Sequence, residues 1–127
     1  MDIQTSPDPV ARAHELGTEI AAAADGIERA RRIPEALLGR LHDSRLFRML
    51  LPRSSGGDQT EPAVYVAAIE VLAQHDASVA WNVFVANSSA LIAAYLDPAA
   101  SSPIRAASWR GDLQTLRARA RLTQAIA

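Results

Sequence analysis

The longest apolar stretch of the chain runs from Ala77 to Leu96, twenty residues without a charged side chain between Asp76 and Asp97. As an α-helix it would be about 30 Å long at about 1.5 Å per residue, enough to cross a bilayer or a protein core. Five serine and asparagine side chains interrupt it, and each would cost about 1–3 kcal/mol if it were buried without a hydrogen-bond partner. The flanking charges are acidic, whereas membrane topology is set by Lys and Arg. The pattern therefore favours a central buried helix of a helical domain over a membrane span.

Apolar positions at steps of three and four predict three further helices before this run. Short polar side chains stand where an N-cap is needed, at Asp8, Thr60 and Asp76. The four predicted helices run from Pro9 to about Ile27, from Pro34 to about Ser44, from Glu61 to about Gln74 and from Ala77 to Leu96. The prediction is an all-α fold, an up-and-down bundle of four main helices followed by a C-terminal helical tail.

A short segment of small and polar residues separates the second and third predicted helices. It comprises Arg53, Ser54, Ser55, Gly56 and Gly57. The paired glycines follow no predicted strand, so they match neither a phosphate loop nor a dinucleotide fingerprint. We expect them to give the loop flexibility.

Composition excludes several classes of function. The formal net charge is −1 and there is no cysteine, so the chain has no disulfide and no thiolate zinc site. The three histidines lie at no helical metal-pair spacing, and no catalytic residue or metal site is predicted. The first residues lack the apolar core of a secretory signal, and together with the missing cysteines they predict a cytoplasmic protein.

The last part of the chain differs in charge from the rest. Residues 98–127 contain five arginines and one aspartate, a net charge of +4. We treat 9–98 as one helical domain and 99–127 as a separate basic tail. Translation out of frame in a GC-rich gene would give a tail of this composition, so we interpret the chain as a frameshifted or truncated relative. Binding of this tail to nucleic acid is the least favoured interpretation of its charge.

Trp81 and Asn82 stand side by side at the start of the uncharged run. An aromatic ring beside an amide makes a suitable wall for a planar, partly polar ligand. The alternative, which we favour on the residues alone, is a core tryptophan and an asparagine that bonds within or between helices.

Two phrases of the sequence carry a family resemblance: LFRMLLPRSSGG, from Leu46 to Gly57, and ASVAWN, from Ala77 to Asn82. With the residues around them, they resemble the N-terminal helical domain of the acyl-CoA dehydrogenase superfamily, most closely its flavin-dependent monooxygenase branch. In that branch a partner reductase supplies reduced flavin for the hydroxylation of aromatic substrates.

The resemblance implies a helical domain that packs against a β-domain and a C-terminal helical bundle, which hold most of the FAD or FMN site and the catalytic base. The helical domain would form one wall of the substrate pocket. By matching positions, the expected contacts are the loop Arg53 to Gly57 together with Trp81, Asn82 and Ser89. Family members often carry an aromatic residue just before the paired glycines, where this chain has Ser55.

The expected function is therefore one domain of a flavin oxidoreductase or monooxygenase, inactive as an isolated chain. Its partners would be the flavin-binding domains, a reductase in the full system, or further copies in a homo-oligomer; a membrane is not expected. The alternative is a helical interaction module that self-associates or binds a partner through an exposed apolar face.

Overall fold

The computed structural model describes residues 8–93 and Tyr95. This part of the chain contains four α-helices and no strand. The helices are α1 (Pro9–Ala30), α2 (Glu35–Asp43), α3 (Pro62–His75) and α4 (Ala77–Ala93), with short 3-10 helices at Leu46–Arg48 and Arg53–Ser55 between α2 and α3. The prediction of an all-α fold is confirmed, and the predicted C-terminal tail lies outside the described residues.

Two of the three predicted N-caps are correct. The Asp8 carboxylate accepts a hydrogen bond from the backbone N–H of Val10 at 3.2 Å, and that of Asp76 accepts one from Val79 N–H at 2.8 Å. The prediction for Thr60 is wrong. Its backbone N–H donates to the Met49 carbonyl at 2.7 Å, and Glu61 takes the N-cap position of α3 without a side-chain hydrogen bond.

The core lies where α3 packs against both α1 and α4, while α2 and the first 3-10 helix contact α1. Gly17 of α1 allows the close approach to α3, because a Cβ atom at this position would overlap the ring of His75. The bulky apolar side chains with the least exposure are Ile20, Leu41, Leu46, Met49, Leu72, Val79 and Val83. Burial of these side chains is the main stabilising term of the bundle.

The uncharged helix α4 is buried on one side only. Val79 and Val83 face the core, whereas Trp81 is 66% exposed and Phe84 is 40% exposed. The expectation that neighbouring helices enclose α4 is therefore wrong for this outer face. Within the described residues, no helix combines the length and the apolar character needed to span a membrane.

Asn87 is the polar residue that α4 buries completely. Its side-chain Nδ2 donates to the carbonyls of Leu46 at 2.8 Å and Val83 at 2.9 Å, and its Oδ1 accepts from the N–H of Leu50 at 3.1 Å. The amide therefore satisfies two backbone groups in the segment between α2 and α3. This side chain fixes both the position of that segment and the rotation of α4.

Replacing Asn87 with leucine should destabilise the fold by about 2–4 kcal/mol, because it leaves the Leu50 N–H and the Leu46 carbonyl buried without this partner. Urea unfolding followed by circular dichroism measures the change. Asn82→Leu is the matched control, since among the described residues the amide of Asn82 bonds only to the Ser78 carbonyl of its own helix. Equal losses of stability in the two variants would contradict the role given to Asn87.

Candidate functional site

A shallow apolar depression lies where α3 meets the outer face of α4. Its volume is about 270 Å³, and it is open to solvent along one side. The lining residues are Ile69, Ala77, Ala80, Trp81 and Phe84. All five are apolar or aromatic, so the depression suits an acyl chain or an aromatic ring better than a charged group.

Three aromatic rings form a row at this depression. The centroids of Trp81 and Phe84 lie 5.8 Å apart with an interplanar angle of 28°, and those of Phe84 and Tyr65 lie 6.3 Å apart at 24°. The Tyr65 hydroxyl donates to the Phe84 carbonyl at 3.3 Å, and burial raises the pKa of this phenol. The row places a buried tyrosine at one end and an exposed tryptophan at the other. The alternative of a core tryptophan at position 81 is therefore wrong.

Asn82 and Ser89 do not line this depression. Asn82 is half-buried and its Nδ2 donates to the Ser78 carbonyl at 2.8 Å. One residue corresponds to about 100° of rotation around a helix, so its side chain leaves α4 in a different direction from that of Trp81. Ser89 is also half-buried. The ring and the amide that are adjacent in sequence thus do not form one continuous wall here.

The predicted loop contact, Arg53 to Gly57, is an ordered turn outside the lining of the depression. Residues Arg53–Ser55, with Ser54 at their centre, form a 3-10 helix, and Gly56 follows with a φ of 81°, which favours glycine. Gly57 is buried, and a Cβ atom there would overlap the Leu51 carbonyl. The glycines thus allow a positive φ and a close backbone approach, which corrects the expectation that they serve flexibility.

A buried ion-pair cluster holds this turn against α1. One oxygen of Asp58 accepts from Arg12 at 2.9 Å, and the other accepts from Arg45 at 2.8 and 3.0 Å. Arg12 is 5% exposed and the side chain of Asp58 is 8% exposed. Arg12 also donates to the Ser44 carbonyl at 2.8 Å. Because Asp58 and its two arginine partners are distant in sequence, no local sequence motif indicates the cluster, and the sequence analysis does not predict these residues.

A further arginine joins the cluster through the turn itself. Arg45 and Arg48 both donate to the Gly56 carbonyl, at 3.0 and 3.1 Å. Burial, with the nearby positive charge of Arg45, lowers the pKa of Arg48. Arg45 has a φ of 62°, a conformation that is unfavourable for a non-glycine residue and is maintained by its surroundings. The hydrogen bonds of these arginines are made to protein groups, which indicates a structural role for the cluster.

No metal centre is apparent in the part of the chain that the structure describes. There, no group of three or more His, Cys, Asp or Glu side chains could hold an ion. At the depression, the five lining side chains offer mainly apolar and aromatic contacts.

Comparison with known proteins identifies the family. The model of the acyl-CoA dehydrogenase N-terminal domain matches residues 12–103, which is most of the chain. The chain therefore belongs to the acyl-CoA dehydrogenase N-terminal domain family. No curated protein and no solved structure matches it significantly.

Asp58→Ala should destabilise the protein by about 3–5 kcal/mol, because it leaves the buried guanidinium of Arg12 without its counter-charge. Glu19→Ala is the control, since it removes the exposed 3.3 Å pair with Arg40 and should cost less than about 1 kcal/mol. Urea unfolding of both variants measures the difference. A loss for Asp58→Ala as small as that for Glu19→Ala would refute a stabilising role of the cluster.

Proposed function

We propose that this chain supplies one wall of the substrate pocket in an acyl-CoA dehydrogenase-like flavin oxidoreductase. The observation that carries the proposal is the exposed aromatic depression at Trp81 and Phe84 on a domain of this family. Large aromatic side chains of a folded domain are seldom left open to water, and a rimmed apolar patch marks a binding surface.

The lining of the depression favours an apolar substrate portion. Ile69 and Ala80 offer aliphatic contacts, and the ring of Trp81 offers a face for offset stacking, which is worth about 0.5–1.5 kcal/mol beyond burial. These contacts suit both a fatty acyl chain and an aromatic ring. The second possibility corresponds to the flavin-dependent monooxygenase branch, with a reductase as partner, and rests on the resemblance of the two sequence phrases.

Polar contacts to the substrate would come from the other residues at matching positions. Arg53 and Ser54 are exposed on the turn, and Ser89 is half-buried on α4. In this proposal they contact the substrate once the remaining walls of the pocket are in place. Gly56 and Gly57 position the turn through their backbone conformation. Ser55 and Asn82 are the remaining residues that we propose for the wall of the substrate pocket.

The depression does not fit a whole flavin. FAD and FMN carry phosphate groups and a hydrogen-bonding ring edge, whereas the five lining side chains offer no charged group and, apart from the indole N–H of Trp81, no hydrogen-bond donor. The acyl-CoA dehydrogenase family generally uses FAD. We therefore propose that flavin-binding domains hold the cofactor and that the 127-residue chain alone neither retains flavin nor turns over substrate. As a separate proposal, we place the chain in the cytoplasm.

The test is a titration of the purified 127-residue chain, carrying Trp109→Phe so that Trp81 is its one fluorophore of this type. Octanoyl-CoA and phenol serve as acyl and aromatic probes, and FAD and FMN are titrated in parallel. We expect a saturable change of Trp81 fluorescence with at least one probe and no stoichiometric flavin binding.

Phe84→Ala should weaken probe binding about 3- to 10-fold, because it removes the ring that stacks on Trp81. Val66→Ala is the matched control, as Val66 is exposed on α3 but does not line the depression. If neither probe changed the fluorescence of Trp81, the result would contradict the proposal that the depression is part of a substrate-pocket wall. A purified chain that is yellow with bound flavin would refute the statement on the cofactor.

A further inference from the structure

Tyr65 lies beside the depression without lining it. It belongs to α3 and is 6% exposed, whereas the depression is formed by Ile69 and four residues of α4. Its ring is the buried end of the aromatic row, and the ring beside it is that of Phe84. A side chain in this place is not positioned to touch a ligand in the depression, but it can determine where the ring of Phe84 stands.

Tyr65 contacts Phe84 at two points. The ring centroids lie 6.3 Å apart with an interplanar angle of 24°, and the Tyr65 hydroxyl donates to the backbone carbonyl of Phe84 at 3.3 Å. The first contact restrains the side chain of Phe84 and the second restrains its main chain. Because a side chain can occupy several staggered χ1 positions, a neighbouring ring that packs against one of them stabilises that one. Tyr65 therefore favours one orientation of the Phe84 ring.

The ring of Phe84 needs such a restraint because much of it is open to water. Phe84 is 40% exposed, and Trp81, the ring on its other side, is 66% exposed. Two rings that both face solvent restrain each other only weakly. Tyr65 is the one member of the row that is held in the core, so its position is the most restricted of the three.

The Tyr65 hydroxyl is not required to satisfy the Phe84 carbonyl. The Oγ atom of Ser88 donates to the same oxygen at 2.9 Å. If position 65 served packing alone, phenylalanine would bury the same ring without a polar group that needs a partner. The hydroxyl therefore adds a restraint on Phe84 and does not replace a missing hydrogen bond.

We propose that Tyr65 is the positioning residue of the substrate-pocket wall. Through Phe84, it holds the aromatic part of the depression in the orientation that the apolar portion of the substrate meets. Binding then does not have to order this exposed ring, which would otherwise lower the affinity. The inference rests on the proposed function, because it takes the depression to be a binding surface.

The first test measures probe binding to the Trp109→Phe chain with and without Tyr65→Leu, by the fluorescence of Trp81. The probe is octanoyl-CoA, or phenol if only phenol binds. We expect about 3- to 10-fold weaker binding, because an unsupported ring must be ordered when the probe binds. Tyr65→Phe keeps the ring, so it should weaken binding less, and it decides the test if Tyr65→Leu does not fold. An affinity equal to that of the parent chain in every folded variant would overturn the proposal.

A double-mutant cycle separates positioning from general stability. If Tyr65 acts through Phe84, Tyr65→Leu should cause no further loss of affinity in a chain that already carries Phe84→Ala. Leu41→Val is the control for stability, since Leu41 is completely buried on α2, which packs against α1 and the first 3-10 helix. It should lower the urea midpoint and leave the affinity unchanged. Losses of affinity that add in the double variant would assign Tyr65 a structural role only and would overturn the proposal.

The last test needs no ligand, so it distinguishes a failure of this inference from a failure of the proposed function. Nuclear Overhauser effects between the ring protons of Phe84 and Trp81 report how the two rings are placed. We expect these effects to weaken in Tyr65→Phe and further in Tyr65→Leu. The control is Tyr95→Phe, the same change at a tyrosine that is 85% exposed, and it should leave them unchanged.

Two outcomes of this test are decisive. If the parent chain binds neither probe but the contact between the Phe84 and Trp81 rings depends on Tyr65, the proposed function fails and the positioning of Phe84 stands. If the ring contact is the same in both Tyr65 variants as in the parent chain, Tyr65 does not position Phe84 and the inference is overturned.

Discussion

The side-chain amide of Asn87 is the contact on which the arrangement of this domain depends. It joins α4 to the backbone of Leu46 and Leu50 through hydrogen bonds of 2.8 and 3.1 Å, at a place from which water is excluded. An amide in such a place must keep its partners, so α4 has only one acceptable rotation about its axis. That rotation buries Val79 and Val83 and turns Trp81 and Phe84 outward. The outward rings form the depression that we propose as the substrate wall.

A second restraint acts on the same segment from the opposite side. Asp58 pairs with Arg12 of α1 and with Arg45, and thereby fixes the turn that follows the first 3-10 helix. Two charges removed from water need close geometry and further hydrogen bonds to be favourable. Arg12 gains one further bond, to the Ser44 carbonyl, while its buried Nε–H has no hydrogen-bond partner among the described residues. The segment from Leu46 to Asp58 is thus held to α4 by the hydrogen bonds of Asn87 and to α1 by the Arg12–Asp58 ion pair. Neither interaction involves the residues that line the depression.

The helices and the family could be predicted from the sequence. Periodic apolar positions, together with Asp8 and Asp76, located the helices to within a few residues, and the Leu46–Gly57 and Ala77–Asn82 phrases indicated the acyl-CoA dehydrogenase N-terminal domain that the family match confirms. These signals are local, since a cap and a helical stripe each depend on a few neighbouring residues. The monooxygenase branch remains a proposal.

The parts that were not predicted depend on contacts between distant residues. Helix α4 is apolar on all sides, so its periodicity could not show which side is exposed, and Trp81 was assigned to the core. Five polar residues of the run were equal candidates for burial, and only the carbonyl of Leu46 and the N–H of Leu50, nearly forty residues away, select Asn87. The Asp58 cluster is likewise built from three separate segments of the chain.

Hydrogen exchange at the backbone amide of Leu50 tests the central role of Asn87 most directly, because this N–H has the Asn87 side chain as its acceptor. If the amide of Asn87 anchors the segment, Leu50 exchanges only on global unfolding, as slowly as the core amides of α1 and α3. If Leu50 instead exchanges as fast as the exposed amide of Ser54, the segment opens independently of the bundle and the account is contradicted.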